Sequence, residues 1–278
     1  MSPHRIVTSA VLCALLATGA TACGSSTSTT AKAAPSGSAA AVSPTAASPS
    51  ASASASGTVD LDSLTAAQVE DAAHAAMASL TSMRVAGSTT SDGQKITFDL
   101  TADKAKDCQG TVTIGSMGSI EILHNSTGSW VKPDQAFWKS AAAQQGKPGA
   151  GAMAAELFKG RYLTGGQDDP DMKQMTSMCD VVEGIANDTS KATNATKVGP
   201  ATVNGQKTLG IKDTDDDGTV STGYVATEGK PYLLRLVSEG SDGGQLDFTD
   251  FDKPLTVQAP PADQVVDFSL FKQKLNSV

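Results

Sequence analysis

The chain has 278 residues, 21 of them Lys or Arg and 29 Asp or Glu, for a formal net charge of −8 at pH 7. An acidic balance argues against nucleic acid and against a polybasic membrane contact, since both need clustered cations. Three histidines and four cysteines supply little for metal ligation or histidine catalysis, so neither metal nor cofactor is expected.

In chain order, Arg5 comes first and is followed by the apolar run AVLCALLATGATAC over residues 10–23, which closes in Ala20-Thr21-Ala22 and Cys23. A positive residue, a short apolar run and small residues form the layout of a bacterial export signal. The cysteine directly behind the small residues resembles the lipobox of bacterial lipoproteins, with Ala20 standing where Leu is usual. The resemblance implies cleavage before Cys23 and a diacylglyceryl group on its sulfur. Two acyl chains suffice for stable anchoring, and the apolar run is shorter than the roughly 20 residues of a spanning helix. Residues 1–22 are therefore read as a signal peptide and 23–57 as a lipidated cysteine with its tether. Residues 58–278 are read as one folded domain, held by its lipid at the extracytoplasmic face of the cell membrane.

The tether is almost entirely Ser, Thr, Ala, Pro and Gly, a composition that cannot bury enough apolar surface to fold. As a flexible coil its reach is about 30–35 Å. Beyond it, Cys108 and Cys179 are the two cysteines left. In an oxidising compartment such a pair forms a disulfide. Closing a loop of about 70 residues contributes about 4 kcal/mol in the chain-entropy view.

The domain opens with a helix. Thr65 and Gln68 form a capping box, Leu64 and Val69 a hydrophobic staple, and Val69, Ala73, Met77 and Leu80 share a face. His74 lies off that face and is expected in solvent. From Arg84 the period becomes two. Ile96, Phe98 and Leu100 alternate with polar residues, as do Val112 with Ile114 and Ile120 with Ile122, and Ser91-Asp92-Gly93 and the stretch 115–118 supply the turns. This pattern reads as an antiparallel meander, apolar on one face. Trp130-Val131-Lys132 adds a strand, and residues 134–145 a helix with Phe137 and Trp138. Residues 146–151 are read as a break and 152–159 as a second helix. Asp169 and Pro170 open a third helix carrying Met172, Met175, Met178, Cys179 and Val182. A second meander follows at 197–203, 207–212, 220–226, 232–237 and 245–251. After it come a Pro-rich tail and a short helix with Phe268, Phe271 and Leu275.

The acidic run from Asp213 to Gly218 matches the front of a calcium loop, but Tyr224 stands where a bidentate Glu belongs, so it is read as a hairpin turn. Three Asn-x-Thr matches, at Asn125, Asn187 and Asn194, follow from a Thr-rich composition. No nucleophile elbow, zinc motif, phosphate loop or Cys-x-x-Cys occurs, and the chain is read as non-enzymatic.

The order of these parts, with Trp130-Val131-Lys132-Pro133, Phe137-Trp138, Tyr232-Leu233-Leu234-Arg235-Leu236 and Phe248-Thr249-Asp250-Phe251, resembles the LppX/LprG-type lipoproteins of actinobacteria, which share the LolA/LolB fold. The resemblance covers about residues 65–275. It implies an α+β domain, a strongly curved antiparallel β half-barrel closed by short helices, with an apolar cavity for lipid. Ile96, Phe98, Leu100, Val112, Ile114, Ile120 and Ile122 would form the wall, and Met77, Leu80 and Met175 the lid. The function so implied is binding or transfer of an amphiphilic lipid or glycolipid by a monomer, with a membrane-protein partner possible. The rival reading is a solid-cored interaction module that regulates a membrane protein or sensor. A large apolar cavity would separate the two.

Overall fold

Helix α1 (Ala66–Ala78) begins at its capping box. The Gln68 N–H donates to Thr65 Oγ1 at 3.2 Å, and the Thr65 N–H donates to Gln68 Oε1 at 2.9 Å. Two of the donors that every helix start leaves orphaned are thereby satisfied. The computed structural model describes residues 60–144, 146–165, 172–173, 176–187, 194–214 and 218–269. All of them belong to one compact unit. Cys23, the tether, the Asp169-Pro170 helix start, Met175, the acidic turn at 215–217 and the tail beyond Ser269 lie outside the described residues.

Behind α1 run β1 (Ser82–Ser91), β2 (Gln94–Asp103), β3 (Cys108–Ile114), β4 (Gly118–Asn125) and β5 (Gly128–Pro133). They are consecutive antiparallel neighbours. Helices α2 (Gln135–Gln144) and α3 (Pro148–Leu157) follow, then β6 (Tyr162–Thr164), a 3-10 turn (Ser177–Asp180) and helix α4 (Val181–Asn187). The second meander is β7 (Thr196–Val203), β8 (Gln206–Thr214), β9 (Val220–Ala226), β10 (Leu233–Ser238) and β11 (Gly244–Thr249), and β12 (Val265–Asp267) comes last.

Both meanders belong to one twelve-stranded sheet in the order β12-β6-β5-β4-β3-β2-β1-β11-β10-β9-β8-β7. The sheet is open, curved and mostly antiparallel, with a few helices. Strand β1 joins its halves by pairing with β2 on one edge and β11 on the other. Gly87 lies on this seam at φ +149°, where a Cβ would stand 2.0 Å from the Gln245 carbonyl oxygen. Only glycine fits so close an approach.

Two expectations are corrected. Residues 148–151 do not break the chain: α3 starts at Pro148, in the first turn where proline is tolerated. Gly151 is buried there, where a Cβ would lie 2.8 Å from Ala142 Cβ, so its small size serves contact between α2 and α3. The tail also contains β12, which pairs parallel with β6. Three-residue strands carry too little periodicity to be read before their partners are known.

The Cys108–Cys179 disulfide is present, with Cα atoms 5.5 Å apart across a sequence separation of 71. It ties β3 to the 3-10 turn and so holds that turn and α4 against the first meander. Both cysteines lie in the main apolar cluster with Leu80, Ile122, Phe158 and Val182.

Candidate functional site

The period-two pattern of the first meander lines up in rows across the inner face, the face that meets the helices. One row runs Leu163, Val131, Ile122, Gly110, Leu100, Val85 and Phe248 over successive strands. Its side chains are fully covered, Ile122 and Val131 at 0 % exposure and Leu100 at 4 %. The next row runs Ile120, Val112, Phe98, Gly87, Leu246 and Leu236. Here Ile120 and Val112 are buried, whereas Phe98, Leu246 and Leu236 are half-buried. In the third row Ile114 faces Ile96, and both are half-buried. Cover therefore thins toward the β1–β2 hairpin and leaves an apolar shelf of Ile96, Phe98, Ile114, Leu236 and Leu246.

The structure gathers the expected wall and lid residues into one cluster. Met77, Leu80, Leu100, Val112, Ile120 and Ile122 are buried in it, and Ile96, Phe98 and Ile114 pack against it. Met175 is outside the described residues. Within this cluster the buried members touch one another and leave the shelf as the accessible part. Sequence reading did not name Met83, Val85, Leu163, Leu236, Leu246 or Phe248 for the site. Met83 and Val85 carry an alternating signal, but Gly87 and the run Ser88-Thr89-Thr90-Ser91 mask it. Leu246 and Phe248 were legible as strand residues, yet only the β1–β11 pairing places them here.

At the other end of β4 a cleft of about 430 Å³ is lined by His124, Asn125, Thr127, Ser129, Thr164, Met172 and Thr176, among others. His124 Nδ1 and Ser129 Oγ are 2.7 Å apart. Asn125 donates to the Val257 carbonyl at 2.8 Å and accepts from the Thr127 N–H at 2.8 Å. Hydroxyls and amides share these walls about equally with apolar surface, so the cleft offers hydrogen-bonding partners that an acyl chain cannot use.

The outer face of the first meander is polar and paired. Arg84 grips Asp99 through Nε and Nη2, both at 2.7 Å. On β10 and β11 of the second meander, Arg235 holds Asp247 in the same forked way. Lys132 Nζ lies 2.6 Å from a Glu121 carboxylate oxygen, and the Tyr162 hydroxyl donates to Glu121. Burial pushes the Glu121 carboxyl up, but the Lys132 and Tyr162 hydrogen bonds and the Lys132 charge outweigh it and leave it below the usual range. A carboxylate so held serves as a structural pin, not a proton acceptor.

On α1, Glu70 behaves in the opposite way. Burial, then Asp213, then Asp71 push its carboxyl up to about 7. His74, expected in solvent, is half-buried with its Nε2 enclosed and without a hydrogen-bond partner. The cause is the close packing of α1 against both the sheet and α4.

No family model matches this sequence, and no curated protein matches it. Solved structures do resemble it. The lipoprotein LppX of Mycobacterium tuberculosis is 17 % identical, with 69 % of this chain and 98 % of that one covered at a TM-score of 0.41. LprF from Mycobacterium bovis is 14 % identical, with 71 % and 97 % covered at a TM-score of 0.47. An uncharacterised conserved protein from Thermus thermophilus is 10 % identical, with 72 % and 97 % covered at a TM-score of 0.33. At these identities the likeness is one of fold. Among the described residues no helix is long and apolar enough to cross a membrane, and no group of three or more His, Cys, Asp or Glu side chains could hold a metal ion.

Proposed function

We propose that this chain is an exported lipoprotein, anchored through Cys23, that holds an acyl chain of an amphiphilic lipid or glycolipid against the inner face of its sheet. The observation that carries the reading is the shelf of Ile96, Phe98, Ile114, Leu236 and Leu246. It continues a buried apolar row without the cover that the rest of that row enjoys. A half-open apolar surface beside a closed core is where a chain of methylenes gains most. Burying eight of them would supply about 6 kcal/mol at roughly 0.8 kcal/mol each, with no directed polar contact. The buried wall of Leu100, Val112, Ile120 and Ile122 forms the floor, and Met77 and Leu80 the packing behind it. Met178 on the covering turn and Met172 ahead of it add adaptable side chains that would reshape around different occupants. The leader and Cys23 support the lipid anchor, and the Ser/Ala/Pro tether supports a domain held off the bilayer.

Extraction of lipid from the purified full chain, read by native mass spectrometry, tests the proposal, and the same spectra report the acyl mass on Cys23. Ile114→Trp would fill the shelf. The expected result is a wild type that carries lipid and a variant that stays folded and has lost it. A wild type without lipid, and a variant destabilised by about 1–3 kcal/mol through overpacking, would instead favour the interaction module.

A further inference from the structure

The α2–α3 hairpin presents a surface unlike the rest of the domain. Helix α3 turns Gly151 and Ala155 inward, with Phe158 buried just beyond its end. Its opposite face carries Met153 and Leu157, one helical turn apart, at 76 % and 56 % exposure. They are two of the three exposed large hydrophobic side chains among the described residues; Val198 on β7 is the third. Pro148, Ala150 and Ala152 extend the same exposed surface.

Charge sets this hairpin apart as well. Lys139 on α2, Lys147 at the start of α3, and Lys159 and Arg161 just beyond its end are all exposed. None of these four forms an ion pair with a described residue. Glu156 is the one acid within α3, and it accepts from Gln135 Nε2 at 3.2 Å. A chain of net charge −8 thus carries, on the hairpin that bears two of the exposed large apolar side chains among the described residues, four cations without an ion pair to a described residue.

We infer that this hairpin docks the domain on an anionic lipid bilayer, with Met153 and Leu157 entering the interface and the four cations lying at the headgroups. A protein partner would be expected to match the stripe with its own apolar side chains and to pair the cations individually. A bilayer satisfies both features with one surface, because headgroup charge surrounds any inserted side chain. Each cation near an anionic surface favours docking by about fivefold. Docking does not depend on a lipid bound at the shelf, so the two proposals fail separately.

The test uses the full chain reconstituted in vesicles of phosphatidylcholine and phosphatidylglycerol at a 7:3 ratio, the phosphatidylcholine brominated along its acyl chains. Met153→Trp places a reporter on the stripe and Val198→Trp one on β7, with the emission of Trp130 and Trp138 taken from wild type. Quenching of the added tryptophan at 153, absent at 198, is expected. It should fall when the lipid is neutral or salt is raised. Lys147→Ala with Lys159→Ala should lower the docked-to-free ratio about 25-fold. No added quenching at 153, or equal quenching at 198, would overturn the inference. Melting temperatures serve as the folding control, and Leu157→Trp replaces Met153→Trp should the latter melt early.

Discussion

The two meanders share a sheet but solve different problems. In the second, Thr208 and Leu209 are neighbours along β8 and point to opposite faces, yet both are buried. One face packs on α1 through Leu209, Ile211, Val225, Val69 and Ala73. The other is closed by Val203, Ala226 and Leu234 with Tyr232 and Phe251. The first meander keeps one face in water, studded with Arg84, Asp99, Glu121 and Lys132, and leaves the end of the other face half-covered, a shelf that Leu246 and Leu236 carry across the seam onto β11 and β10. The region around β8 and β9, filled on both sides, has no room for a ligand. A region filled on one side and thinly covered at its end has room without loss of its core.

The largest expected effect tests what holds the cover on the first meander. Replacing both Cys108 and Cys179 with Ala should cost about 2–5 kcal/mol in chemical denaturation, because the unfolded chain regains the freedom of the closed loop. The next contrast sharpens the difference between the halves. Ile211→Ala empties a site with 1 % exposure and should cost about 2–5 kcal/mol while leaving any bound lipid in place. Phe98→Ala, on the half-covered shelf, should cost less than the 3–5 kcal/mol typical of a closed core, and should release lipid.

A smaller effect belongs to Glu70. Its folded pKa of about 7 lies above the ordinary carboxylate value, so the native state binds a proton that the unfolded chain has released. Stability therefore falls as pH rises between about 4.5 and 7. The side chain is only partly enclosed, and solvent screening limits the loss to about 1 kcal/mol. Glu70→Gln should flatten that slope in melting curves taken from pH 5 to 8. The smallest effect is expected at Arg84→Ala, where a well-exposed ion pair is lost and the midpoint of denaturation should move by no more than about 1 kcal/mol.

Much of this contrast was legible in the residues, and the rest was withheld for physical reasons. Ile96, Phe98 and Leu100 announce a one-faced strand because alternation is a local property of β-structure. The α1 cap is equally local, since Thr65 and Gln68 bond within four residues. The start of α3 was not legible: Gly149 and Gly151 argue against a helix until contact with α2 overrides their propensity. The pairing of β6 with β12, and of β1 with β11, depends on chain segments far apart in sequence. So does the graded cover of the inner face, for it is set by which helix lies over which row. The hairpin's exposed stripe could not be told from a buried one, because Met153 and Leu157 have the same spacing either way.

The seam at β1 also governs the order of events during folding. Every pairing within the first meander is local, so those strands can assemble as soon as they are in water. The far edge of β1 must wait, because Arg84 takes Thr249 as its partner and Val85 takes Phe248. Until the last strands arrive, that edge presents unpaired amides and carbonyls, a template for association with another chain. Contacts of such long sequence separation form slowly. For a chain exported as an unfolded thread, as proposed above, this would make the interval before closure the moment of greatest risk of aggregation. Gly87 and the polar run Ser88-Thr89-Thr90-Ser91, which offer a stranger strand little apolar surface to grip, lower that risk.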